Sequence, residues 1–190
     1  VIKATNTSLL PDSPSFFEVY EPPLENYQEI SLKIEAWLVI AKGKEELAEE
    51  LHPQIFRASA FILSEIKNHI EESLKLGKIP NKSLFVCRDV HATIQGVSIF
   101  SKQECFLNCI ASNPENLPHL INTQRVHGIG TAMIRHFAQI AKEKNQSIFL
   151  FSIPIAETFY IKLGFEHIYP FQMELTISKI NQLLSRIRPL

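Results

Sequence analysis

Gln124-Arg125-Val126-His127-Gly128-Ile129-Gly130-Thr131-Ala132 leads from a loop into a helix. Two glycines at a spacing of two let the backbone turn tightly without Cβ clashes. The first amides of a helix have no acceptor inside it, so they form a natural anion site. Arg125 could add a bidentate phosphate contact. The same Gly-Ile-Gly would also serve as a tight helix start and nothing more. It is not a Walker phosphate loop, because no Gly-Lys-Ser/Thr follows, and it falls short of a full dinucleotide fingerprint.

A local anion site of this kind suits a chain with no basic field. Lys plus Arg gives 19 and Asp plus Glu gives 20 over 190 residues, a formal net charge of -1. A general nucleic-acid binder leans on positive charge, so no nucleic-acid partner is expected. The 45% hydrophobic content excludes a wholly disordered chain, and the length fits one domain with an appendage. Cys87, Cys105 and Cys109 are an odd set, two of them in apolar runs. They read as buried free thiols in a reducing compartment rather than as disulfides or a zinc site, and no metal is expected. No apolar run reaches 18 residues and no signal-peptide pattern opens the chain, so a cytoplasmic protein without membrane association is expected. Val1 is not Met, so other residues can precede it.

Outward from the glycines, residues 128–144 read as a helix with Ile129, Ala132, Met133, Phe137, Ile140 and Ala141 inside. Upstream, 83–88 and 93–100 read as a hairpin, with Gly96 marking a bulge, and 105–111 as a third strand. Downstream, SIFLFS at 147–152 suits the interior of a sheet covered on both faces. A helix at 155–163 follows, then a hairpin through 167–169 and 171–177 and a terminal helix or tail at 177–187. Toward the N-terminus, Ile55, Ala58, Ile62, Ile66, Ile70 and Leu74 mark a helix that starts near Pro53 and ends near Gly77. Before it, a strand is expected at 36–41, then punctuation at Gly43 and a helix over 44–51. Residues 1–30, rich in Pro, Ser, Asn and acidic residues, read as an extended arm before a domain over 31–190. The sum is an α/β fold, a mixed and largely antiparallel central sheet flanked by helices.

A second element lies thirty residues beyond the glycines: Ala156-Glu157-Thr158-Phe159-Tyr160-Ile161-Lys162-Leu163-Gly164-Phe165. With the first, it resembles the GCN5-related N-acetyltransferase (GNAT) superfamily. Arg125, Gly128 and Gly130 match the coenzyme A loop Gln/Arg-x-x-Gly-x-Gly/Ala. Ala156, Tyr160, Gly164 and Phe165 match A-x-x-x-Y-x-x-x-G-F. The similarity covers about residues 83–176 and extends loosely over 36–77.

The resemblance implies the acyl-CoA N-acyltransferase fold, acetyl-CoA as cofactor and an N-acetyltransferase. The acetyl group would pass to a primary amine, on a small molecule or a peptide, by direct attack on the thioester. Acetyl-CoA would lie where the fourth and fifth strands splay, with Cys109, Ile110 and Ala111 pairing its pantetheine arm. Val126, His127, Gly128, Ile129, Gly130 and Thr131 would hold the pyrophosphate by backbone amides. A monomer or homodimer is expected.

Tyr160 matches the tyrosine that protonates the leaving thiolate; packing on the sheet is the other reading of its ring. For a base, Glu104 at the start of the fourth strand is the acidic candidate, His119 is a second, and loss of the proton to solvent is a third route. The sequence departs from the family in two places. Pro114 and Arg125 are separated by a long connection, and Ile153 stands where an asparagine is often found, with Ser152 as a replacement polar contact. A catalytically silent domain that binds CoA or a protein partner is the alternative to an enzyme.

Overall fold

Tyr27, Ile30, Ile34, Trp37 and Ala41 recur at intervals of three and four, and all are buried. They form the inner stripe of a helix, α1 (Tyr27–Leu47), where a strand at 36–41 was expected. Val39, within that stretch, and Leu32, shortly before it, are 72% and 58% exposed and face solvent. Gly43 does not interrupt the helix. Each large side chain of the inner stripe contributes roughly 1.5–3 kcal/mol by burial, enough to override a mixed local pattern.

A computed structural model describes residues 17–47, 53–116 and 126–185. Strand β1 (Glu18–Tyr20) precedes α1. Helix α2 (Pro53–Leu76) follows, then β2 (Ser83–Arg88), β3 (Ile94–Ser101), β4 (Phe106–Ser112) and a 3-10 turn at Pro114–Asn116. Next come α3 (Ile129–Glu143), β5 (Ile148–Phe151), α4 (Pro154–Leu163), β6 (Glu166–Tyr169), β7 (Gln172–Leu175) and α5 (Ile177–Ser185). Residues 17–30, expected within an extended arm, include the edge strand Glu18–Tyr20, a 3-10 turn at Leu24–Asn26 and the first turn of α1. Arg88 stacks over the Tyr20 ring at 4.7 Å and holds that edge. Residues 1–16 of the expected arm lie outside the described residues.

Among the described residues the sheet runs β1-β2-β3-β4-β5-β7-β6, antiparallel throughout except for β4 beside β5. It is the mixed, largely antiparallel sheet expected. Helices α1 and α2 cover one face, packing on Leu84, Val86, Ile94, Val97, Ile99 and Ala111. Helices α3 and α5 cover the other, over Phe85, Phe100 and Leu107, with the Phe137 ring stacked on Phe100 at 4.4 Å. The buried face of α2 is turned from the expected stripe. Phe56, Leu63, Ile66 and Ile70 point inward, while Ile62 and Leu74 sit at its margin.

Two bulges break the regular alternation of β3 and β4. Cys87 pairs Gly96 and Arg88 pairs Ile94, so Gln95 is an extra residue, next to the glycine that marked a bulge in the sequence. Ile99 pairs Cys109 and Phe100 pairs Leu107, so Asn108 is extra as well. Each insertion reverses which face the following residues occupy.

Gly96 has a further role. A Cβ there would lie 2.5 Å from Ile129 Cγ2 and 3.1 Å from Met133 Sδ. Its bare backbone lets the first turn of α3 rest on the sheet. Gly96→Ala is expected to destabilise the protein by about 1–3 kcal/mol through overpacking, measured by urea unfolding. Ile129→Ala should cost less in that background than in the wild type. Strictly additive losses would contradict direct contact.

Candidate functional site

The site begins where two strands part. β4 and β5 pair only at Phe106–Phe149 and Leu107–Leu150, with one further bond from the Phe149 N–H to the Cys105 carbonyl at 3.0 Å. The extra residue Asn108 follows immediately, and a bulge bends its strand. From Asn108 to Ser112, β4 has no described partner on its β5 side, which leaves a wedge with one open strand edge. Of the expected cofactor-contacting residues there, Cys109 and Ile110 are half-buried and Ala111 is buried. Cys109 and Ala111 face the α1–α2 side; Ile110 faces α3.

The start of α3 belongs to the same end of the sheet. Gly128 sits at φ +85°, in the left-handed region that glycine adopts freely. The first helical hydrogen bond runs from Ala132 N–H to the Gly128 carbonyl at 2.8 Å. The amides of Ile129, Gly130 and Thr131 therefore have no acceptor within the helix. The N-cap residue Gly128 has no side chain to cap this end and no acidic residue lies in its first turn, so among the described residues nothing there offsets the positive end of the helix dipole. Ile129 is buried against Gly96, Gly130 and Thr131 are half-buried, and His127 is exposed. The Val126 amide is already engaged, donating to Asn116 Oδ1 at 3.0 Å. Gly130 has a packing reason of its own: a Cβ would come within 2.9 Å of Phe159 Cζ on α4. Arg125 and His119 lie outside the described residues.

The Tyr160–Phe165 spacing is explained by a helix end. Phe165 N–H donates to the Tyr160 carbonyl at 3.1 Å and Gly164 N–H to the Ile161 carbonyl at 2.9 Å, with Gly164 at φ +102°. This is a Schellman cap, and the Tyr160 and Phe165 rings, 5.5 Å apart, supply its apolar contact. Both rings at 159 and 160 point inward to different degrees: Phe159 is half-buried and Tyr160 only 6% exposed. Burial, and then the neighbouring Cys109 thiol, push the Tyr160 phenol well above its ordinary value. The phenol keeps its proton at neutral pH, as an ordinary tyrosine also does. Tyr160 belongs to the core cluster on the α3 side, with Ile110 of β4 packed against that cluster.

Other expected residues are placed differently. Glu104 is exposed in the turn before β4, at the closed end of the wedge, on the far side of the paired residues from Asn108. Ser152 is buried, with its N–H on the Phe171 carbonyl at 2.7 Å and its hydroxyl on the Ile153 carbonyl at 3.0 Å. Its donors are already used. A carboxylate not singled out in the sequence is Glu65, on the exposed face of α2. Burial, and then Glu65, push the Cys109 thiol up to about 11, against a smaller opposing effect of Lys82. An acidic residue on a solvated helix face carries no signal in the sequence that would mark it.

Among the described residues, no group of three or more His, Cys, Asp or Glu is arranged to hold a metal ion, and no helix is long and apolar enough to cross a membrane. No family model matches the chain. No curated protein matches it either. Solved structures do match. The spermidine N-acetyltransferase of Vibrio cholerae in complex with CoA and spermine aligns with a TM-score of 0.52 at 14% identity, over 88% of this chain and 99% of that one. Mutant forms of the spermidine/spermine N-acetyltransferase SpeG from the same organism align with a TM-score of 0.53 at 12% identity, over 88% and 98%. The chain has the GNAT-like acyl-CoA N-acyltransferase fold. At these identities the likeness is one of fold.

This arrangement suits an extended ligand with an anionic end. The open edge of β4 can pair with a strand-like arm, and the bare α3 amides can receive a phosphate group.

The three thiols also set an alkaline limit on stability. Burial pushes Cys87 up to about 12 and Cys109 up to about 11, and raises Cys105, all from an ordinary 9.0. The folded chain thus holds protons that the unfolded chain releases near pH 9. Stability is complete below that pH and is expected to fall as pH rises from about 9 towards 11, read as a declining urea midpoint. A midpoint unchanged to pH 11 would contradict the burial of these thiols.

Proposed function

We propose that this protein is an acetyl-CoA-dependent N-acetyltransferase that moves an acetyl group to a primary amine by direct attack on the thioester. The observation that carries the reading is the wedge between β4 and β5, with the uncapped start of α3 at the same end of the sheet. When bound, acetyl-CoA supplies a thioester whose C–S bond breaks as the amine nitrogen attacks its carbonyl carbon. The backbone of Cys109, Ile110 and Ala111 aligns the pantetheine arm along the free strand edge. The amides of Ile129, Gly130 and Thr131 hold the pyrophosphate, with Gly128 giving the turn that exposes them. Tyr160 donates its phenolic proton towards the departing sulfur and later recovers one from solvent. Rate comes mainly from positioning and from donors aimed at developing negative charge.

The acceptor binds on the α1–α2 side, where Glu65 lies near Cys109. A carboxylate at that place favours a cationic amine, and both Vibrio structures of the same fold are of an acetyltransferase named for polyamines. Glu104, outside the wedge, is not assigned as the base; the bound ammonium loses its proton to water before attack. That missing base is also what favours the second reading, a domain that binds CoA without turnover.

Two measurements separate these readings. Acetyl-CoA at millimolar concentration should raise the thermal midpoint, since it binds only the native state; no shift would overturn both. Free-thiol release with a panel of polyamines, lysine peptides and N-terminal peptides should then reveal turnover. Binding without release from any amine would favour the silent domain.

Tyr160→Phe is expected to lower kcat by about 100-fold or more, within the range for a lost general acid, and to leave acetyl-CoA affinity within about twofold. An unchanged kcat would assign the ring to packing alone.

A further inference from the structure

Gln95 is a polar side chain only 7% exposed, at the extra position of the β3 bulge. Every group it carries on that side is used. Its carbonyl accepts from Asn113 N–H at 2.8 Å. Its Nε2 donates to Asp89 Oδ2 at 2.8 Å, and its Oε1 accepts from Asn116 Nδ2 at 2.9 Å. Asn116 Oδ1 in turn accepts from Val126 N–H at 3.0 Å. Asp89 closes the far end, taking the N–H groups of His91 and Thr93 on Oδ1 at 2.9 and 3.0 Å. Burial pushes the Asp89 carboxyl up, but these donors together outweigh it and hold it below its usual value. The anchor is ionised at neutral pH.

The relay thus runs from the β2–β3 turn, through the bulge and the 3-10 turn, to the residue two before Gly128. Asn116 and Val126 also mark the two ends of the long connection that departs from the family pattern, and one side chain ties them together. Gly96, beside Gln95, makes the second contact to the same place by receiving Ile129. The bulge therefore meets the start of α3 twice: by apolar contact on one side and by a hydrogen-bond chain on the other. Removing a middle member would leave a buried polar partner unsatisfied.

We infer that Gln95 and Asn116 are positioning residues that hold the start of α3 in register for an incoming phosphate, acting through the Val126 amide. The inference rests on the proposed binding of CoA at that helix end. Neither residue touches the ligand. Their effect appears in affinity for the cofactor and not in the rate of transfer once it is bound. The alignment of amides that bind an anion is what such a clamp protects: a small misplacement of preorganised donors is enough to weaken a charged contact.

The test uses the whole chain and three variants. In the free protein, NMR hydrogen exchange at the Val126 amide should be at least tenfold faster in Asn116→Ala and in Gln95→Met than in the wild type. Asn116→Asp keeps the acceptor for Val126 but loses the donor to Gln95 Oε1, so it should retain part of the protection. With acetyl-CoA, both unclamped variants should show a Kd raised about 5–30-fold, a raised KM for acetyl-CoA and a kcat at saturation within twofold of wild type. Asn116→Asp should lie between them and the wild type. Unchanged exchange at Val126 would overturn the clamp itself, with or without a ligand. Faster exchange with unchanged Kd would overturn its role in binding. A wild-type protein that fails to bind CoA would instead overturn the reading on which the inference rests, while the exchange result still decides whether the clamp exists.

Discussion

The extra residue at Asn108 is the constraint on which the site depends. A parallel pair of strands would ordinarily continue along its whole length, because unpaired amides and carbonyls are costly to leave buried. Here the pairing of β4 with β5 stops at Leu107–Leu150, and the insertion turns the rest of β4 aside. The same insertion reverses its side chains, so Leu107 packs under α3 while Cys109 and Ala111 pack under α1 and α2. One residue thereby opens a strand edge and sends a thiol to the opposite face of the sheet.

The second requirement is that α3 begin beside that opening without a cap. The sheet meets it with the smallest residue. Gly96 admits Ile129 to a distance that no Cβ would permit, and Gly130 in turn admits Phe159. Three layers, sheet, α3 and α4, are therefore in contact through two glycines near the free amides. The α4 cap completes the arrangement by fixing the Tyr160 and Phe165 rings as a pair. Packing and the proposed chemistry thus draw on the same residues, and Gly130 and Tyr160 each have a structural role that would hold them in place even without catalysis.

How much of this was legible in the sequence follows from the kind of signal each part carries. Helices α2 and α3, strands β2 to β5 and the hairpin were readable, because apolar periodicity and glycine stops mark elements that bury one face. The strand expected at 36–41 was wrong because an apolar residue does not declare which way it points. Leu32 and Val39 are exposed, and only Tyr27, Ile30, Ile34, Trp37 and Ala41 follow the helical stripe. The three-residue strand Glu18–Tyr20 was missed because it is too short for a period. Within the candidate site, the glycine pair was marked by its spacing and the Tyr160 element by its resemblance to the family pattern. Glu65, Gln95 and Asn116 could not, since their roles come from tertiary neighbours: a thiol on another strand, a bulge register and the far end of a connection. Glu104 is the reverse case, being near the open edge in sequence and beyond its closed end in space.

The central claim is that one wedge and one helix start form a single binding surface for CoA. Backbone amide NMR, followed during a titration with CoA, tests it most directly. Coupled, saturable shifts are expected at Ile129, Gly130 and Thr131 and at Cys109, Ile110 and Ala111, with the buried stripe of α1 little affected. Shifts confined to other elements, or none at millimolar CoA, would contradict it.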